Sequence, residues 1–272
     1  MKISHIVNVL EIQPKHESSY LHIAQPVTVK SMLDAKLQSK NPTNIDLIAV
    51  KHKDENIECP EGFRMAPDLT RYCYDVFPGL PKTKELPLVA DIFNSLNQVS
   101  DADYFIYTNI DIGLFPDFYD RVCDIIEKHK YDFFTIDREI MPKYVDNQLI
   151  DHHNFKKLFD IEGEVHPGTD CFIFKKDLLR KVEFGHIFLG YPPVDRVVGR
   201  ELLRYCRDKM YTRIKSGDRF TFHIGKDSTW HYNKSDGLLN ENCREAIRLG
   251  HDGAVFPASL RFCLQAELTN NK

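Results

Sequence analysis

The sequence predicts an α/β fold, with a mainly parallel sheet covered by helices on both faces. Short apolar, β-branched runs alternate with stretches of helical periodicity through most of the chain, the pattern of strands joined by crossover helices. The 272 residues are 42% hydrophobic and 28% charged, a balance able to bury a sizeable core. No internal repeat, low-complexity tract or Gly/Ser-rich linker divides the chain, so residues 1–272 are expected to form one domain.

The elements follow in order. Residues 3–10 read as a first strand and residues 45–50 as a second, with an amphipathic stretch around 27–37 between them, which makes a βαβ unit. Residues 87–99 place Leu88, Val89, Ile92, Phe93, Leu96 and Val99 on one helical face, and Pro87 suits a first helical position. Residues 103–108 form an aromatic and β-branched strand that ends at a polar turn. Pro116 then opens a helix with Phe118, Tyr119, Val122, Ile125 and Ile126 on its apolar face, closed by Lys128, His129 and Lys130 where cations suit the helix dipole.

Residues 132–136 are the next strand. The polar stretch 138–169 lacks strong periodicity and reads as a long functional loop, feeding a strand at 171–174. A helical pattern spans 194–210, a strand spans 220–224, and the remainder reads as a polar tail carrying the lone Trp230.

Composition excludes several classes of function. Lys and Arg number 36 against 40 Asp and Glu, so the formal charge of −4 draws the chain to neither nucleic acid nor an anionic membrane. Seven cysteines (Cys59, Cys73, Cys123, Cys171, Cys206, Cys243 and Cys263) include no CxxC pair and cannot all pair within one chain. Reduced thiols and a cytoplasmic location are expected, with peripheral attachment to a membrane left open. The N-terminal residues show no signal-peptide pattern, and no run approaches the roughly 18 apolar residues of a membrane span. The signatures of acyl transfer, P-loop chemistry, dinucleotide binding and zincin proteolysis (GxSxG, Walker A, GxGxxG and HExxH) are all missing. His152-His153 is read as a surface pair, because adjacent loop residues rarely ligate one ion.

Polar residues just past an apolar strand have the first claim on chemistry, since open α/β sheets bind ligands at the carboxyl ends of their strands. Thr108, Asn109 and Asp111 stand there. Residues i and i+2 of an extended segment point the same way, so the Asn109 amide oxygen and the Asp111 carboxylate can converge on a hard cation, Mn²⁺ or Mg²⁺, shared with a diphosphate. The same Asn-x-Asp pattern also serves as a turn that caps the following helix.

Helix, apolar strand and acidic turn, in 87–99, 104–108 and Asn109-Ile110-Asp111, resemble the DxD region of GT-A-fold glycosyltransferases. The order of elements resembles that family from about residue 1 to 225. The resemblance implies a metal-dependent glycosyltransferase that moves a sugar from a UDP- or GDP-sugar donor to a glycan or other hydroxyl acceptor, as in surface or capsular glycan synthesis. It assigns about 1–137 to the nucleotide-sugar-binding part, about 138–230 to the acceptor side and 231–272 to a C-terminal tail. Asp111 is then the metal carboxylate, and Asn109 departs from the usual first Asp. Arg71 and Lys84 fall where donor phosphates are contacted, and Asn8 falls where the nucleoside is read. His223 sits where many metal-dependent members place a late histidine ligand; Lys226 and Trp230 suit a loop over phosphates and sugar.

An inverting transferase needs a carboxylate to take the acceptor proton. Asp170, following Gly168 at the end of the long polar stretch, is the expected acceptor-side residue. Asp195, at a helix start where the family often carries its base, also has a sufficient explanation as a helix-terminal charge. Two rival functions share the architecture. A sugar-phosphate nucleotidyltransferase usually opens with a Gly-rich loop after the first strand, and residues 11–16 contain no glycine. A non-catalytic binding module remains open because of Asn109.

Overall fold

The computed structural model describes residues 1–13, 20–207, 210–215, 217–226 and 237–251. The chain begins with β1 (Ile3–Asn8), α1 (Leu21–Gln38), β2 (Ile45–Val50), β3 (Arg64–Met65), the single turn α2 (Cys73–Val76) and α3 (Val89–Val99). It continues with β4 (Tyr104–Thr108), β5 (Ile112–Leu114), α4 (Phe118–His129), β6 (Phe133–Met141), the hairpin β7 (Tyr144–Val145) and β8 (Gln148–Leu149), and β9 (Glu164–Lys175). It closes with α5 (Val194–Arg204), β10 (Tyr211–Ile214), β11 (Thr221–Ile224) and α6 (Leu238–Arg248).

The main sheet runs β3-β2-β1-β4-β9-β6-β11-β5, with β10 also paired to β6. Pairings β1/β2, β1/β4, β2/β3, β6/β10 and β6/β11 are parallel. Strand β9 runs antiparallel between β4 and β6, and β5 runs antiparallel to β11. The expected mainly parallel α/β sheet is therefore present, with helices on both faces. Alternation along each strand splits the core. Ile6, Phe105, Tyr107, Phe172 and Phe174 pack with α3, α5 and α6 on one face. Ile3, Val7, Tyr104, Ile106 and Ile173 pack with α1 and α4 on the other. Each fully buried side chain of this kind contributes roughly 1.5–3 kcal/mol.

Strand β2 coincides with the predicted run, and β4 differs from it by one residue. Helix α3 starts at Val89 with Leu88 as its N-cap, so Pro87 lies outside the helix, where its carbonyl accepts from the Leu189 amide. Helix α1 starts six residues before the predicted stretch. Its buried face includes Gln25 and Ser31, which bond the Leu10 backbone and the Leu114 amide, and this polar content hides the apolar period.

Three expectations are corrected. The stretch 138–169 is not a structureless loop: β6 runs on to Met141, β9 starts at Glu164, and a hairpin and a 3-10 turn at Phe155–Asp160 lie between them. Asp137, Arg138 and Glu139 break the apolar pattern yet are buried in the strand because each charge is matched. Asp137 accepts from Arg213 at 2.8 Å, Glu139 accepts from the Arg219 amide at 2.8 Å, and Arg138 pairs with Asp170. The polar tail beyond 230 also contains structure. Helix α6 inserts Leu239, Cys243 and Ala246 into the core, and its Asn242 amide bonds the carbonyls of Phe188 and Tyr191. The last turns of the expected helix 194–210 are not helical, since α5 ends at Arg204. Trp230 and Cys263 lie outside the described residues.

Candidate functional site at the β4 turn

Strand β4 delivers a tight turn to the sheet's carboxyl edge. The Ile112 amide donates to the Asn109 carbonyl at 3.2 Å, and Ile110 is pressed into the core, so Asn109 and Asp111 flank a buried anchor. The short strand β5 that follows was hidden in the sequence by its three-residue length.

The two polar residues of the turn face different partners. Asp111 Oδ2 lies 3.4 Å from His223 Nε2. His223, in β11, has its Nδ1 2.7 Å from the Gly225 carbonyl, which makes Nδ1 a donor and turns Nε2 toward Asp111: in the charged ring Nε2 donates to the carboxylate, and in the neutral ring its lone pair is available to a cation. Asp111 Oδ1 is buried and has no hydrogen-bond partner among the described residues. Burial alone raises the Asp111 carboxyl, but the hydrogen bond and charge of His223 and the charge of Arg138 outweigh it and hold the group below its ordinary value.

Asn109 instead accepts a hydrogen bond from the Tyr107 hydroxyl at 3.0 Å and donates one to Asp170 Oδ1 at 3.1 Å. Asp170 Oδ2 pairs with Arg138, and both side chains are almost fully buried. Tyr107 ties the group together. Its hydroxyl is pushed well above 10, first by burial and then by the charges of Asp195, Asp111 and Asp170, so it stays protonated as a donor. Asp195 sits half-buried in the first turn of α5.

Tyr107, Asn109, Asp111, Arg138, Asp170, Asp195 and His223 thus form one neighbourhood. Tyr107 and Arg138 were not anticipated. For Tyr107 a signal existed, because it lies two residues before Asn109 on an extended strand and shares its face. Arg138 gave none, since a charged triplet after an apolar strand looks like the start of a loop.

Other anticipated residues are placed elsewhere or hold local roles. Asn8 caps the carboxyl end of β1, donating to the Val50 carbonyl at 3.0 Å. Arg71 makes a two-pronged pair with Asp91 of α3 at 3.0 and 2.5 Å, facing a cavity of about 670 Å³ that Phe93, Phe184, His186 and Arg248 also line. Lys84 is exposed on the connection between α2 and α3. His152 and His153 are exposed beside each other. Asp170 does not emerge from a loop; it lies inside β9, 5% exposed.

Asp111 Oδ1 is a buried oxygen with no hydrogen-bond partner among the described residues, and Oδ2 faces the imidazole of His223, so carboxylate and imidazole together are a donor pair that suits a divalent cation. Among the described residues no three His, Cys, Asp or Glu side chains converge as a closed metal cage, so the protein would supply two ligands. Among the same residues no helix is long and apolar enough to cross a membrane.

No family model and no curated protein sequence matches the chain. Solved structures do. The structure of S. aureus TarS residues 1–349 in complex with UDP-GlcNAc superposes with a TM-score of 0.51 at 12% identity, covering 96% of this chain and 69% of that one. Another structure of S. aureus TarS 1–349 gives 0.49 at 12% identity, covering 82% of this chain and 60% of that one, so the chain spans under two thirds of its length. M. tuberculosis glucosyl-3-phosphoglycerate synthase gives 0.49 at 11% identity, covering 93% and 82%. At such identity the likeness to the UDP-GlcNAc complex speaks to architecture, and the architecture is plain: this chain has a Rossmann-like GT-A fold.

Proposed function

We propose that this chain is a metal-dependent glycosyltransferase that moves a sugar from a nucleotide-sugar donor, a UDP- or GDP-sugar, to a hydroxyl acceptor such as a growing surface or capsular glycan. The observation that carries the reading is Asp111: a carboxylate at the carboxyl end of β4, 3.4 Å from His223, with a buried oxygen that none of the described residues satisfies. The structural likeness to a transferase determined with UDP-GlcNAc supports the donor class.

Asp111 and His223 would hold Mn²⁺ or Mg²⁺, with Mn²⁺ better suited to an imidazole ligand. When bound, the cation supplies Lewis-acid neutralisation of the departing diphosphate. Asp195 is the better proton acceptor for the incoming hydroxyl, which reverses the order expected from sequence. Both oxygens of Asp170 are engaged, one by Asn109 and one by Arg138, and a carboxylate held by a guanidinium is a poor base. Asp195 is half-exposed at a helix start, and its charge reaches Tyr107. Asp170 and Tyr107 then orient the turn. Arg71, Lys84 and Asn8 remain proposals for donor contacts, with Arg71 already bound to Asp91. Free thiols at Cys59, Cys73, Cys123, Cys171, Cys206 and Cys243 support a cytoplasmic location.

Calorimetry of UDP binding with and without Mn²⁺, on wild type and Asp111→Ala, tests the assignment. Metal-dependent binding that is weakened in the variant is expected; equal affinity in all four measurements refutes it. The engaged amide of Asn109 favours a non-catalytic module as the second reading, and Mn²⁺-dependent hydrolysis of a UDP-sugar separates the two.

A further inference from the structure

We propose that Asn109 is a positioning residue whose amide is required by Asp170: the carboxylate absent from the turn stands one strand away on β9, and the Tyr107–Asn109–Asp170–Arg138 chain sets the turn so that Asp111 is its sole carboxylate. The proposal rests on the donor and metal reading above.

The pairing is built into the sheet. Strands β4 and β9 are antiparallel with Thr108 opposite Cys171, so the next step of the ladder brings residues 109 and 170 face to face. An ionised carboxylate can only accept, so the atom of Asn109 that meets Asp170 Oδ1 at 3.1 Å must be the amide nitrogen. That choice leaves the amide oxygen to accept from the Tyr107 hydroxyl at 3.0 Å, and both bonds agree on one orientation. Asp170 Oδ2 is taken by Arg138, which is 4% exposed.

A carboxylate at position 109 would set two acceptors against each other beside one guanidinium, where little water screens them. Two carboxylates at such a distance repel each other with no proton between them, and Asp111 and Asp195 already place negative charge around Tyr107. Restoring an acidic pair to the turn, which would seem to improve a metal site, is therefore expected to damage it. Moving the carboxylate across the strands should not. In the reciprocal exchange the amide placed on β9 donates to the carboxylate placed in the turn, while its oxygen accepts from Arg138, so each hydrogen bond survives with its direction adjusted.

The experiment compares wild type, Asn109→Asp and the double variant Asn109→Asp/Asp170→Asn by calorimetry of UDP with Mn²⁺ and by thermal unfolding. Asn109→Asp should weaken Mn²⁺-dependent UDP binding by about tenfold or more and lower the melting temperature by about 5 °C. The double variant should recover affinity to within about threefold of wild type and regain most of the melting temperature. Equal or tighter Mn²⁺-dependent binding in Asn109→Asp would identify position 109 as a ligand and overturn the proposal, as would a double variant no better than the single one. If wild type binds no UDP with Mn²⁺, the functional reading fails by itself, and the melting temperatures still decide: an unshifted Asn109→Asp, or a shifted one that the exchange does not rescue, overturns the pairing.

Discussion

Acidification should unfold this protein partly through one histidine. His5 is wholly buried in β1, with Nδ1 3.0 Å from the Tyr119 hydroxyl and Nε2 2.9 Å from the Thr108 hydroxyl. Burial pushes its imidazole down from 6.5 to about 3. Above pH 6.5 the ring is neutral in both the folded and unfolded states, and the stability it permits is fully present. Between pH 6.5 and about 3 only the unfolded chain takes up the proton, so stability falls as pH falls. Each pH unit in that window is worth about 1.4 kcal/mol, so at about pH 4.5 the loss from His5 alone is between about 2 and 3 kcal/mol. Urea unfolding of wild type and His5→Asn from about pH 7.5 to about 4.5 isolates this contribution, because the variant keeps every other titrating group. Wild-type stability should fall more steeply by that amount. Parallel curves would show that His5 is protonated in the folded protein and refute the reasoning. Thr108 directly precedes Asn109, so metal-dependent nucleotide binding should weaken in the same window.

His223→Gln, which keeps most of the volume of this buried side chain, should reduce Mn²⁺-dependent nucleotide affinity about tenfold while the melting temperature stays within a few degrees; a large fall in melting temperature without a change in metal dependence would make the residue structural. Asp195→Asn should lower turnover by about 10²–10⁴ with donor affinity retained, whereas Asp170→Asn should cost roughly 3–5 kcal/mol of stability by leaving Arg138 buried beside a neutral amide. The opposite pattern in paired kinetic and thermal assays returns the base role to Asp170. Gly113→Ala should destabilise by about 1–3 kcal/mol, because a Cβ there runs into the Phe222 ring across β5 and β11; an unchanged denaturation midpoint would show that the ring moves aside freely.

Local periodicity alone determined the elements in which burial follows one repeat. Strand β2, strand β4 and helix α3 are apolar where they are buried, so their residues announced the sheet, its covering helices and the polar turn at Asn109-Ile110-Asp111. The turn's place past an apolar strand was also legible, because candidate ligand sites at the carboxyl edge follow from α/β topology, whereas His223 was expected only from the resemblance to GT-A glycosyltransferases. Periodicity failed where polar groups are buried. Asp137, Arg138 and Glu139 look like a loop because their neutralising partners, Arg213, Asp170 and Arg219, lie 32 to 80 residues further along. Helix α6 was missed because Asn242 and Glu245 are buried beside Leu238, Leu239, Cys243 and Ala246, so its core face reads as polar. Only the tertiary structure decided which polar groups meet: Asn109 with Asp170 across β4 and β9, 61 residues apart, and Asp111 with His223 across the edge of β11. Strand order and register, set by the packing of the whole sheet, choose those partners, and no local repeat encodes them.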